Sequence, residues 1–359
     1  MTTRLKNLAG LLLLSGTLAA GAVSPACGAE RNNFNVAWSI YVGWMPWDYA
    51  DRSGILKKWA DKYGIKIKLT QVNEYVESIN QYTAGTFDAC VMTNMDMLTI
   101  PAAGGVDSTA LIVGDFSNGN DGVVLKGKGK TLGDIKGQKV NLVELSVSHY
   151  LLARALNSGG MRERDLKIVN TSDADIVGAF SAPATTAVVT WKPQLSAVLS
   201  QPNVQLVFDS SKIPGEILDL MVVKTDVLSA NPKLGKALAG AWYETLAVMF
   251  RNDPAGRAAQ TAMAQASGTD LNGFSQQLAT TRIFATAADA YAFVTADAIV
   301  KSMDLVRRFS FEHGILGQGA SSVDAVGIQF PAGKTLGDTH NLKMRFDSDF
   351  TKQAMDGKL

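Results

Sequence analysis

One unit recurs along this chain and restricts its fold more than any other feature: an apolar run of strand length, a helical stretch, and a second strand beyond it. Residues 35–43, "NVAWSIYVG", open the first series. The segment after them carries Ile55, Leu56, Trp59, Ala60 and Tyr63 on one helical stripe, which assigns Trp59 to the core. "IKIKLTQV" then alternates like a half-exposed strand, and "VESINQYTAGTFDACVMTNMDMLTIPAAGG" reads as helix, turn at Gly85, buried strand and helix. Strands separated by helices pair in parallel and need cover on both faces. The pattern therefore predicts an α/β protein built on doubly wound, mostly parallel sheets flanked by helices.

The series is then repeated. After the Gly- and Lys-rich "GNDGVVLKGKGKTLGDIKGQ" come strand "KVNLVEL", helix "SHYLLARALNSGG", strand "DLKIVNT", helix "DADIVGAF" and the strands "TTAVVTW" and "NVQLVFD". Two such units predict two lobes. From about Thr225 the chain reads as mainly helical, and these helices are expected to pack back on the first lobe. The expected division puts residues 30–121 with 222–359 in lobe 1 and residues 122–221 in lobe 2. The stretches "GDFSNGNDGVVLK" and "GEILDLMVVKTD" would cross between them. Two crossings permit bending without unfolding either core, so closure around a ligand is the expected motion.

Residues 1–29 have the layout of a signal peptide: Arg4 and Lys6, an apolar stretch from Leu8 to Ala20, and small residues ending in "ACGA". Cleavage is expected after Ala29, with export to the periplasm. Ser24 and Pro25 fit poorly before a lipid-anchored Cys27. Cys90 in "FDACVMTN" is then the sole thiol; it makes no internal disulfide and reads as a small core residue. His149, His313 and His340 show neither clustering nor ligand spacing, so no metal site and no Cys–His catalytic pair is expected. Without Arg4 and Lys6 the 34 basic residues fall one short of the 33 acidic ones. A near-neutral chain without a basic block offers no footprint for nucleic acid or anionic lipid.

"AGTFDA", then "TLGDIKGQKVNLVELSVSHYLLARALNSGG" with "DLKIVN" after it, then "VVTWKPQL", resemble in order and spacing the exported substrate-binding proteins of ABC importers, of the nitrate-, taurine- or aliphatic-sulfonate-binding type. The closing "HNLKMRFDSDFTKQAMDGKL" resembles the subgroup encoded beside urea carboxylase and associated with guanidine use. "AFSAPATTAVVTW" departs from the pattern, with Pro183 and Thr186 where such families show Gly followed by Asp-Ala. The resemblance implies a two-lobed, type II-like periplasmic binding protein, monomeric and without a cofactor, that delivers a small solute to an inner-membrane permease. Some related proteins of this fold are enzymes that make a thiamin precursor with a Lys-bound cofactor and a reactive His. The export signal and the lack of a Cys/His cluster weigh against that reading.

In an open α/β sheet the ligand lies beyond the carboxyl ends of the strands, facing helix N-termini. Here those places are "GWMPWD", "TNMD", "ELSVS", "TWKP" and the two crossings. They supply the aromatic faces Trp44, Trp47 and Trp191 and the carboxylates Asp48, Asp96, Asp121, Glu144 and Asp219, but no Arg. Trp47 and Trp44 are expected to wall or cover the ligand. Against this stand packing roles for the tryptophans, dipole-favoured helix acids for Asp48 and Asp96, and ordinary capping for Ser146. An oxyanion would look for Arg, Lys or a free helix N-terminus, and Glu144 would repel it. Carboxylates beside rings suit a small flat cation, and guanidinium is expected first. Urea, bound through amide and hydroxyl partners such as Thr93, Asn94 and Ser146, ranks second, ahead of a sulfonate or nitrate.

Overall fold

The computed structural model describes residues 31–317 and 319–359; the signal-peptide reading and Cys27 lie outside them. In chain order the strands are β1 (Asn33–Trp38), β2 (Lys66–Gln71), β3 (Ala89–Thr93), β4 (Ser108–Ser117), β5 (Asp121–Lys126), β6 (Lys139–Leu142), β7 (Lys167–Asn170), β8 (Ala187–Trp191), β9 (Val204–Asp209) and β10 (Leu218–Lys224). Four short ones follow: β11 (Thr281–Ile283), β12 (Gly327–Gln329), β13 (Thr335–Leu336) and β14 (Leu342–Phe346). They form two sheets. The larger runs β13-β12-β14-β4-β10-β3-β1-β2, with β11 beside β4, and the smaller runs β7-β6-β8-β5-β9.

The helical connections do what the repeat requires. β1 pairs in parallel with β2 and β3, and β6 with β7 and β8. The remaining strands of each centre are antiparallel: β10 against β3 and β4, and β5 against β8 and β9. The sheets are thus mixed rather than mostly parallel. A chain that passes between sheets enters the next one through a short link, and only antiparallel or newly started pairing is open to it without a long crossover. The sheet boundaries fall at residues 118–120 and 210–217, where the chain leaves β4 for β5 and β9 for β10. Leu218–Val222 therefore pair within the larger sheet.

β3 is buried at every position, as a central strand covered on both faces must be. Helices Met45–Arg52 and Ile55–Lys62 pack on Pro232–Met249, which returns the C-terminal part to the larger sheet. Gly240 of that long helix faces the Trp59 ring, where a Cβ would come within 2.4 Å of it. Cys90 is fully buried beside Ser78, and burial pushes its thiol up to about 12, so it is inert. The tail is less purely helical than expected, because β11–β14 edge the larger sheet; strands of two to five residues are too short for their alternation to be read. Among the described residues no helix is long and apolar enough to cross a membrane.

Candidate functional site

Between the two sheets lies a cleft of about 440 Å³. Its floor is set by register. Asp219 near the start of β10 stands opposite Thr93 of β3 on one side and Asp115 of β4 on the other. Asp121, the first residue of β5, stands opposite Trp191, the last of β8. The ends of strands from both sheets thus converge, and Thr93, Asp121, Trp191 and Asp219 line one space.

An aromatic row forms its wall. Tyr41 meets Trp44 edge-on at 5.1 Å, Trp44 stacks on Tyr75 at 5.6 Å, and Tyr75 meets Trp191 of the other sheet edge-on at 6.0 Å. Tyr75 is held from behind: its hydroxyl accepts the Thr93 N–H at 2.9 Å and donates to Asp96 at 2.6 Å, while Thr93 Oγ1 donates to the same Asp96 oxygen at 2.7 Å. Asp96 is therefore a positioning group.

Four carboxyls crowd this end of the cleft, and burial is the first cause of unusual acidity in each. Asp96 and Asp121 are raised to about 6 and Asp115 to about 7. Asp219 is raised well above the carboxylate range, by burial and then by the Asp115 charge. Asp121 and Asp219 are 3% and 4% exposed, so they reach the cleft but little bulk water. Hydroxyls donate to them, Ser117 to Asp121 and Tyr41 to Asp115 at 3.2 Å, and the Asp219 carboxyl shares a proton with Asp115. One Asp115 oxygen and the Trp44 Nε1 have no hydrogen-bond partner. None of the described residues lining the cleft is Lys, Arg or His. Lys192, beside the cis Lys192–Pro193 bond, sends its ammonium to Thr280 at 2.9 Å.

Of the residues singled out in the sequence, Trp44, Thr93, Asp121, Trp191 and Asp219 line the cleft. The others do not. Trp47 is no lid: it is buried against Trp242, ring centres 5.0 Å apart, because its place in the first turn of helix Met45–Arg52 points that side chain into the core. Asp48 pairs with Arg52 at 2.8 Å, one turn on along the same helix. Asn94 is committed to backbone, accepting the Leu218 N–H and donating to the Glu216 carbonyl, each at 3.0 Å. Glu144 is exposed and stands outside the cleft lining; the left-handed Leu145 beside it, φ 63°, redirects the chain before the helix starts. Ser146 caps that helix, accepting from the Ser148 N–H.

Sequence reasoning missed Tyr41, Glu74, Tyr75, Asp115 and Asp173. Tyr75 and Glu74 follow the carboxyl end of β2 and Asp173 that of β7, the same rule that picked Thr93. Asp115 in "LIVGDF" carries the same signal as Asp219, an acid inside an apolar strand.

The histidines do cluster, contrary to their spacing. His149, Glu163 and His313 bring their ligand atoms within 4.8 Å of one another. The Leu145 N–H donates to His149 Nδ1, which leaves the proton on Nε2 and no lone pair there for a metal. His149 Nε2 lies 3.3 Å from Glu163 without hydrogen-bond geometry. His313 Nδ1 faces the Phe309 carbonyl at 2.8 Å and its Nε2 pairs with Glu163 at 2.7 Å. The Glu163 bond raises the His313 pKa, and the two imidazoles hold Glu163 at about 2 against its burial. This is an ion-pair clip between the Val147–Ser158 region and the end of helix Asp297–Glu312.

Residues 54–256 match the family model described as NMT1/THI5 like. A protein of Escherichia coli (strain K12) whose name refers to aliphatic sulfonates is 36% identical over 84 residues, 23% of this chain and 26% of that protein. The taurine-binding periplasmic protein of the same organism is 26% identical over 109 residues, 30% of this chain and 33% of its own length. The chain thus spans about a third or less of these two curated relatives. The crystal structure of the periplasmic aliphatic sulphonate binding protein from Escherichia coli shares the fold, with a TM-score of 0.66 at 18% identity over 80% of this chain and 94% of that one.

Proposed function

From the premise that this chain belongs to the NMT1/THI5-like family, we propose that it is an exported solute-binding protein that captures a small nitrogen-rich cation of guanidinium type and delivers it to an ABC importer. One observation carries the choice of ligand. Asp121 and Asp219 face an aromatic cleft with no basic side chain among its described lining residues. Buried carboxyls without a counter-charge are costly, and here they hold protons at pH values where an exposed Asp would not. A cation entering between them replaces those protons, and its flat face lies against Trp44, Tyr75 or Trp191.

The names of the relatives point elsewhere, toward sulfonates and taurine. An oxyanion in this cleft would meet Asp121 and Asp219 without an arginine or lysine to offset them. Urea lacks the charge that would draw the protons off. The enzyme reading with a Lys-bound cofactor and a reactive His finds equally little support, since neither Lys nor His is among the described lining residues.

At a ceiling of roughly −1.5 kcal/mol per heavy atom, a four-atom cation reaches about −6 kcal/mol, a Kd of tens of micromolar. Isothermal titration of the purified protein with guanidinium, urea and taurine tests the reading. Guanidinium is expected to bind near that limit, and Asp219→Asn to weaken it at least about tenfold by removing a charged hydrogen-bond partner. Heat with taurine alone would overturn the assignment.

A further inference from the structure

The acids of the cleft fall into two groups. Asp121 and Asp219, with Asp115 behind them, form the inner one. The second stands elsewhere along the lining: Glu74, exposed, at the N-terminus of helix Tyr75–Thr83, and Asp173, half-buried, in the turn after β7. These two come from opposite sheets and meet across the cleft. Burial, then the charge of Glu74 and a hydrogen bond to it, raise Asp173 to about 6. The inner group responds to other neighbours, Asp219 to Asp115 and Asp121.

Size points the same way. At about 30 Å³ per water, 440 Å³ is room for roughly fifteen waters, and a four-atom cation on the inner acids leaves most of it empty. Cavities of this volume suit ligands larger than guanidinium. The wall is apolar where a methylene chain would need it, along Trp44, Tyr75 and Trp191. Facing carboxyls share a proton at low pH but repel each other once both are charged, and a positive group between them takes the proton's place.

Resting on the cation reading above, we propose that the ligand is a linear dication, an aminoalkyl guanidine or diamine, with one charged end on Asp121 and Asp219 and the other between Glu74 and Asp173. The second charge neutralises the like pair as the two sides approach. A monocation fills only the inner half.

Titration calorimetry at low salt with three probes tests this: guanidinium, 1-butylguanidine, and agmatine, which adds a terminal ammonium to nearly the same length. Agmatine is expected to bind about tenfold or more tighter than butylguanidine, and the ratio to fall toward one in Glu74→Gln/Asp173→Asn. Glu74 is exposed, so Glu74→Gln alone reads the same effect at no risk to folding, and its ratio should fall part of the way. Equal affinities for agmatine and butylguanidine, or a ratio unchanged by the substitutions, would overturn the dication while leaving the monocation reading intact. Binding of taurine with none of the three cations would sink both.

Discussion

At the scale of single residues, the cleft is a store of misplaced protons. Burial raises Asp96, Asp115 and Asp121 to about 6, 7 and 6 in the folded chain, whereas an unfolded Asp releases its proton near 3.9. Between about pH 4 and 7 the folded state holds more protons than the unfolded one, so stability falls as pH rises through that window. The ligand-free protein is therefore expected to melt at a lower temperature at pH 7.5 than at pH 5, with saturating guanidinium restoring more at the higher pH. Calorimetric melts at the two pH values, with and without the cation, check this; a ligand shift that is larger at pH 5 would contradict it. The same residues show how far sequence reading reached. Asp121 and Asp219 were legible because an acid inside or beside an apolar strand needs a reason. Trp47 and Glu144 were misread for one cause: position after a strand says which residues are near the cleft, whereas the direction of a side chain depends on helix phase and on a turn such as Leu145.

Among elements, the short helix Asn94–Met97 is tied to the segment entering β10 by a single amide. Asn94 is fully buried and answers both the Leu218 N–H and the Glu216 carbonyl. Asn94→Ala orphans a buried donor and a buried acceptor, a loss of about 1–3 kcal/mol that urea denaturation would register as a lower midpoint with an unchanged slope. The repeated strand–helix units were readable because their apolar period is sustained over whole elements. The antiparallel strands and the C-terminal strands were not, since pairing direction is decided by which sheet the chain re-enters, a contact far apart in sequence.

For the whole molecule, the clip of His313 and Glu163 is one of the polar contacts that join the two halves. Arg154 and Tyr150 add a second, both donating to Glu216 in the link between β9 and β10. Glu163→Gln keeps the shape and removes the charge. Small-angle scattering of the variant should show a larger radius of gyration without ligand, and guanidinium affinity should drop up to about fivefold, the equivalent of roughly 1 kcal/mol. The difference from the unsubstituted protein should shrink as pH rises past the raised His313 value, where the imidazolium is lost, and also below about pH 2, where Glu163 takes its proton.

The links at 118–120 and 210–217 lie side by side, joined where Gly119 donates to Ser210 and Ser117 meets the same hydroxyl. A door hung on two pins set in one post swings but does not twist. Under the proposed importer role, each capture would then end with the same outer face presented in the same orientation, a shape that a membrane partner could distinguish from the empty protein without sensing the cargo itself.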